Sequence, residues 1–220
     1  MNKIAIIALA CAAPVMAGTP VVVAPAAPAP APVVSPWSME VGIGYNFAGR
    51  DLIKHSEGAE EAIDTLGVDL TGVYAINDNN AVTLRFGYSF GDEVNCADRY
   101  WGAKHETDVH TFALMPGYRY THALTEKVSA FAGANVGVAN MSVKDHWRDG
   151  WGCESEHDSA WGVGYSAEVG LRYALCPCTE IFAAYQFSGN TARIKLGEEY
   201  PAKNHRQFYN GVRAGVSIKF

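Results

Sequence analysis

Apolar and polar side chains alternate with a period of two residues in eight separate segments of this chain. In WGVGYSAEVGLRY, at 161–173, every odd-numbered residue is apolar and every even-numbered residue is glycine, serine, glutamate or arginine. Successive side chains of a β-strand point to opposite faces, so each segment predicts a strand with one apolar face. The eight segments lie at 37–47, 66–76, 81–90, 110–120, 127–139, 161–173, 180–189 and 210–220.

The connections between these segments are alternately short and long. The short connections lie at 77–80, 121–126 and 176–179, and the long polar ones lie near 48–64, 91–106, 140–160 and 190–206. This order is typical of an up-and-down antiparallel sheet, and eight such strands close into a barrel. We therefore predict an all-β, eight-stranded antiparallel barrel.

Two kinds of barrel fit this count, and they differ in which face points inward. The polar face is built mainly from Gly, Ser, Thr and Ala, which suits a narrow interior better than a surface in water. Tyr, Trp and Phe stand mostly near the strand ends of the apolar face, as they do where a bilayer meets water. Strands of about 10 residues also suit a tilted membrane crossing. We therefore predict that the apolar face meets lipid; a soluble, lipocalin-like barrel would have the two faces exchanged.

Isolated charged residues on the polar face are then expected to lie inside the barrel. They are Glu40, Asp69, Arg85, Arg119, Glu168, Arg172, Arg213 and Lys219. Eight strands leave an interior only wide enough for side chains, and buried charges have to be paired. We predict a salt-bridged plug. The alternative is a gated ion path in which the pairs exchange partners, and both interpretations exclude a wide diffusion pore.

The alternation in the last segment, NGVRAGVSIKF, continues to the final residue of the chain. In a closed barrel the last strand pairs with the first, so this end is held in place. With this ending, residues 37–220 resemble the small eight-stranded outer-membrane β-barrels of Gram-negative bacteria, of the OmpA-transmembrane, OmpX and opacity types. The resemblance implies that Val216, Ile218 and Phe220 form the signal read by the outer-membrane assembly machinery. It also implies that the short turns lie in the periplasm and the long loops outside the cell.

Two segments precede the first strand. Residues 1–17 read as a secretory signal peptide, because Lys3 is followed by an apolar run that is too short to span a membrane. Residues 18–36 are rich in proline and alanine, which predicts a flexible polyproline-type leader before the barrel at 37–220. Without Lys3, 16 basic residues remain against 23 acidic ones, a net charge of −7 that argues against a nucleic-acid partner.

The four cysteines after the signal peptide divide between the two ends of the expected barrel. Cys96 and Cys153 fall in the second and third long connections, whereas Cys176 and Cys178 share a short turn. A disulfide requires Cα atoms within about 7 Å, and the membrane separates the two pairs. We predict a Cys96–Cys153 disulfide outside the cell. For Cys176 and Cys178 three alternatives remain: a disulfide that closes a small ring around Pro177, two free thiols, or a metal site.

The long connections also hold histidines and two tryptophans with binding potential. The histidines are His55, His105, His146, His157 and His205. They lack the close spacing of metal ligands, so we predict solvated side chains and no metal site. The alternative is a zinc or copper site, since Cys96 and Cys153 lie in the same connections. Trp147 and Trp151 lie among charges in the third long connection, where exposed tryptophans are typical binding anchors. They are the candidates for contact with a host surface or an extracellular ligand, unless they pack over the barrel mouth.

The sequence around the candidate serine argues against catalysis. A lipid A deacylase of this fold would be expected to carry a His-x-Ser-Asn element, and around Ser188 the chain reads QFSGN, with no histidine beside the serine. We therefore predict a non-enzymatic barrel without cofactors, a monomer that serves envelope integrity and surface interaction and contacts lipid and lipopolysaccharide. The alternatives are a narrow ion channel and a lipid A-modifying enzyme.

Overall fold

The computed structural model describes residues 35–48, 53–54, 60–61, 63–95, 104–149, 152–192 and 207–220. The strands are β1 Trp37–Ala48, β2 Ile53–Lys54, β3 Glu60–Glu61, β4 Thr65–Ala75, β5 Asn80–Asn95, β6 Lys104–Ala123, β7 Val128–Asp149, β8 Gly152–Cys176, β9 Thr179–Asn190 and β10 Gln207–Lys219. Eight of them form a closed antiparallel barrel in the order β1-β10-β9-β8-β7-β6-β5-β4, and β2 and β3 form a separate two-stranded sheet. The predicted fold class is confirmed.

The barrel closes between the first and the last strand. β1 pairs with β10 from Ser38 opposite Lys219 to Ala48 opposite Tyr209. Beyond this ladder, the backbone N–H of Phe220 donates to the carbonyl oxygen of Trp37 at 3.1 Å. The terminal residues are therefore ordered because they form the seam of the barrel, and the alternation that continues to the end of the sequence is the pattern of a paired strand.

The alternating pattern sorts side chains to the two faces as the sequence predicts. On the outer face Trp161 is 68% exposed and Ile43 is 63% exposed, whereas Glu40 is 0% and Arg213 is 3% exposed on the inner face. Apolar side chains on this scale would not face water in a soluble protein of this size, but they suit contact with acyl chains. Among the described residues, no helix is long and apolar enough to cross a membrane.

The barrel strands extend further into two of the predicted long connections than the alternating pattern indicates. Asn95 pairs with His105, so β5 and β6 run into the second connection. Asp149 pairs with Gly152, so β7 and β8 run through nearly all of the third. Period-two alternation arises where one face of a strand is apolar and the other is polar. Backbone pairing does not require such a difference, so a hairpin that is polar on both faces forms without an alternating signal in the sequence. We call the extensions beyond the buried Val109 and Val143, at 91–95, 104–108, 144–149 and 152–158, the protruding sheet.

Candidate functional site

Charged side chains from six strands meet in the middle of the barrel. Arg119 donates from Nη1 to Glu40 Oε1 and from Nη2 to Glu168 Oε1, each at 2.6 Å. Arg172 donates to the same Glu40 oxygen. Glu40 lies on β1, Arg119 on β6, and Glu168 and Arg172 on β8, so this group of ion pairs joins opposite walls of the barrel.

Arg213 forms the second group of ion pairs. Its Nε donates to Asp69 Oδ2 at 2.7 Å, its Nη2 donates to Asp69 Oδ1, and its Nη1 donates to Glu168 Oε2 at 3.1 Å. The neighbouring position on β1 is Gly42, where an added Cβ would lie 2.6 Å from Asp69 Oδ2 and 2.9 Å from Arg213 Nε. The absence of a side chain at Gly42 therefore leaves the room in which this bidentate pair forms.

Arg85 is bound less closely than the other arginines. Its Nε lies 3.6 Å from Asp69 Oδ1 and its Nη2 lies 3.5 Å from Glu168 Oε2. Its Nη1 is buried without a hydrogen-bond partner among the described residues. Four arginines thus share three central carboxylates, which explains why one of them is held at longer range.

Two phenylalanines that break the alternation complete this layer. Phe131 and Phe182 point inward, where they are 2% and 4% exposed. The guanidinium carbons of Arg119 and Arg172 lie 4.9 and 4.8 Å from the centre of the Phe131 ring, and that of Arg213 lies 4.6 Å from the Phe182 ring. Stacking on an aromatic face stabilises a cation that has left water. The departures from the sequence pattern therefore mark members of the charge network.

Lys219 lies apart from the central layer. Its side chain is 41% exposed and its Nζ donates to Glu180, whose carboxylate also receives a 3.4 Å hydrogen bond from Arg172. Glu180 is not among the charges predicted from the sequence to lie inside. The signal was present, because Glu180 has the same parity as the inward-pointing Phe182 on β9. The structure thus places seven of the eight selected charges in the central layer and pairs the eighth with a carboxylate that was missed.

The charge layer separates two spaces inside the barrel. One is a vestibule of about 560 Å³ at the end that carries the short turns, and Arg172, Glu180 and Lys219 line it. The other is a cavity of about 100 Å³ on the opposite side, lined by Asp69 and Arg85 among other residues. Towards the long-loop end the interior also holds an apolar cluster, which consists of Ile63, Val109, Met141, Val143, Ala192 and Tyr209. Side chains therefore fill the interior at two levels, the charge layer in the middle and the apolar cluster towards the long-loop end.

Ser188, the one serine considered as a nucleophile, lines the inner cavity and not the lipid-facing surface. The described residues that line this cavity include no histidine. A serine without a neighbouring general base is a weak nucleophile, and a lipid in the membrane does not reach the barrel interior from the side.

The remaining candidate residues are only partly within the described structure. Cys96 and Trp151 lie outside the described residues, and Cys153 and Trp147 lie on strands, with side chains that are not described. The predicted Cys96–Cys153 disulfide therefore stays a prediction. Cys176 and Cys178 are exposed free thiols.

Three of the five loop histidines lie in the protruding sheet. His105 and His146 are on β6 and β7, and His157 is on β8, where a ring nitrogen lies 3.0 Å from Ser142 Oγ. His55 and His205 lie outside the described residues. Within the part of the chain that the structure describes, no three His, Cys, Asp or Glu residues are grouped so that they could hold a metal ion.

Several solved outer-membrane barrels are similar to this chain. Neisserial surface protein A is 16% identical with a TM-score of 0.49, over 85% of this chain and 99% of that one. Ail of Yersinia pestis, crystallised with the heparin analogue sucrose octasulfate, is 16% identical with a TM-score of 0.47, over 83% and 99%. OprG from Pseudomonas aeruginosa is 13% identical with a TM-score of 0.45, over 85% and 97%.

The family assignment comes from the sequence itself. No curated protein matches the chain. The sequence profile described as outer membrane protein beta-barrel domain, however, matches residues 8–220, which is nearly the whole chain. The chain therefore belongs to the outer-membrane β-barrel family, and it is a protein of the Gram-negative outer membrane.

Proposed function

We propose that this protein is a closed, non-enzymatic barrel that contributes to the structure of the outer membrane and presents the protruding sheet to partners at the cell surface. The observation that carries the proposal is the central charge layer. Glu40 and Glu168 are 0% and 6% exposed, and Arg119 bridges them across the lumen. Ion pairs that span a narrow interior hold opposite walls together and block passage between them.

The surface role is supported by the protruding sheet. Exposed side chains of several chemical types stand on its paired strands, including Lys144 and His146 on β7 and Glu156 and His157 on β8. Lys144 is directly opposite His157 in the β7–β8 ladder. A paired hairpin loses less conformational entropy on binding than an open loop, so it is a better scaffold for recognition. We propose that a protein or polysaccharide outside the cell binds this surface.

The closed interior is tested by planar-bilayer recording of the refolded protein. We expect no discrete conductance steps, because the charge layer and the apolar cluster close the lumen in series. Reproducible single-channel steps from the unmodified protein would contradict the proposal. Refolding is checked by heat-modifiable migration on gels before each recording.

The surface role is tested by shortening the β7–β8 hairpin. Residues 145–156 are replaced by Asn-Gly, so that the opposed pair Lys144 and His157 closes on a two-residue turn. The matched control is an insertion of Gly-Ser in the turn 124–127 at the opposite end. We expect the shortened protein to lose binding to host cells and to immobilised glycoproteins, and the control to keep it. If both variants bind equally well, the protruding sheet is not the binding surface and the proposal is wrong.

One observation favours a narrow ion path as the second candidate. The cavity and the vestibule approach the charge layer from its two sides. Among the described residues, the charge layer separates the two spaces, and the apolar cluster lies between the cavity and the long-loop end. If ion pairs exchange partners, the unmodified protein conducts in the bilayer experiment. Arg119→Ala then raises the conductance, whereas the lipid-facing Val169→Ala leaves it unchanged.

A further inference from the structure

A short turn at the end opposite to the protruding sheet brings two thiols together. β8 ends at Cys176 and β9 begins at Thr179, so Pro177 and Cys178 form the turn between them. Proline fixes φ at the value that the second residue of a β-turn requires. The backbone N–H of Lys219 donates to the Cys178 carbonyl oxygen at 2.8 Å, which ties the turn to the end of β10. The two cysteines are therefore held on a restrained backbone.

The sulfur atoms are close enough to react with one another. Cys176 Sγ lies 3.3 Å from Cys178 Sγ, and both side chains are exposed. A disulfide bond is about 2.0 Å long, so ring closure requires a relative movement of little more than about 1 Å. Exposure allows a second molecule to reach the same sulfur atoms.

The local hydrogen bonds favour the reactive form of one thiol. Hydrogen bonding by the Thr179 side chain, followed by that of Cys178, lowers the pKa of Cys176 to about 7. The thiolate is the nucleophile in thiol–disulfide exchange, and exchange is fastest when the pKa of the attacking thiol is near the ambient pH. The lowered pKa therefore favours Cys176 as the attacking thiol, and Cys178, whose Sγ lies 3.3 Å away, is placed to act as the resolving one.

We propose that Cys176 and Cys178 form a reversible dithiol–disulfide site that exchanges with the disulfide of another molecule. In the first step the Cys176 thiolate attacks one sulfur of that disulfide, a mixed disulfide forms, and one thiolate leaves. In the second step Cys178 attacks the Cys176 sulfur and releases the second thiolate. The protein loses two protons and two electrons, and the other disulfide becomes two thiols, so the exchange is balanced.

The proposal concerns the short-turn end and is independent of the surface role. Family resemblance puts this end in the periplasm, where disulfides persist and oxidoreductases exchange them. The disulfide donor can be a small molecule or a protein, because both carry the same reacting group. The experiment therefore uses one oxidant of each kind.

The test uses the chain from residue 18 with Cys96→Ser and Cys153→Ser, so that Cys176 and Cys178 are the only thiols. The folded protein is equilibrated with mixtures of oxidised and reduced glutathione and, separately, with the oxidised or reduced form of a thioredoxin-fold protein. Free thiols are then tagged with a maleimide and counted by intact mass. We expect two tags under reducing conditions, none under oxidising conditions, and full reversal between them. A response to the protein couple alone identifies a protein donor, and a response to glutathione alone identifies a small one.

Three variants separate this site from two unrelated thiols. Cys178→Ser is expected to stop at a glutathione adduct on Cys176, because the resolving thiol is missing. Pro177→Gly keeps both thiols but loosens the turn, so more oxidant is required for closure. Thr179→Val is expected to move the midpoint of the maleimide reaction of Cys176 to higher pH. Two thiols that stay taggable in both oxidants, or a protein that carries two glutathione adducts, would overturn the proposal.

Discussion

Replacement of Gly42 by alanine tests whether the charge layer holds the barrel together. Gly42 and Gly87 face inward on the two strands that flank Asp69, and each is opposite Asp69 in its ladder. At Gly42 an added Cβ lies 2.6 Å from Asp69 Oδ2, whereas at Gly87 no atom lies within 4 Å of it. The two substitutions are therefore chemically identical and differ only in whether they meet the ion pair.

The magnitude follows from this contact. Ordinary contact begins at 3.4 Å, so Asp69 Oδ2 has to move away from the new methyl group, and it leaves the 2.7 Å hydrogen bond to Arg213 Nε. A hydrogen bond between charged groups contributes about 1.5–3 kcal/mol, and alanine in a strand is more stable than glycine by about 0.5–1 kcal/mol. Gly42→Ala should therefore lower the free energy of unfolding by about 1–2 kcal/mol, and Gly87→Ala should raise it slightly.

The assay is urea unfolding in phospholipid vesicles, followed by tryptophan fluorescence. In an Asp69→Ala background Gly42→Ala should lower the free energy of unfolding by less, because the carboxylate oxygen that the methyl group displaces is absent. The difference between the two backgrounds is the coupling energy, which for residues in contact is commonly about 0.5–3 kcal/mol. If the two glycine variants differ by less than about 0.5 kcal/mol, the charge layer does not stabilise the barrel as argued.

Three further predictions concern other parts of the barrel. Phe131→Leu removes two cation–π contacts and should destabilise the barrel by about 2–4 kcal/mol in the same unfolding assay. The outward-pointing Phe220→Leu, at a side chain that is 64% exposed, should change stability by less than about 0.5 kcal/mol, and equal effects of the two substitutions would refute a role for ring stacking. Phe220→Ala should reduce the heat-modifiable fraction recovered from outer membranes without preventing refolding in detergent, and undiminished recovery would argue against an assembly signal. Ser188→Ala should leave the lipid A mass spectrum of producing cells unchanged, and a mass difference that depends on Ser188 would establish the enzymatic alternative.

The fold was predictable because its main determinant is local. Period-two alternation shows, residue by residue, which side chains face the lipid and which face the barrel interior. It assigned Val169 to the outer face and Glu168 to the inner face without any knowledge of strand pairing. On β7 Phe131 has the same parity as the inward-pointing Asn135. Alternation did not show why a large aromatic ring stands among small residues, because the two guanidinium groups on that ring belong to β6 and β8.

The protruding sheet escaped the prediction for the opposite reason. Its strands do not bury one face against lipid, so a pairing such as Lys144 with His157 has no periodic signature. Hydrogen bonds between backbones are nearly independent of side chain, and only the continuation of the ladder from the barrel into the hairpin fixes their register.

The sequence by itself determined the eight barrel strands, their two faces, the closure at Phe220 and the seven charges of the central layer, since all of these follow from alternation and chain order. The tertiary structure alone decided which charges pair. Glu40 receives hydrogen bonds from Arg119 and Arg172, which are 79 and 132 residues away in sequence. The physical reason is that contacts across the lumen depend on the stagger of the closed barrel, a property that no single strand contains.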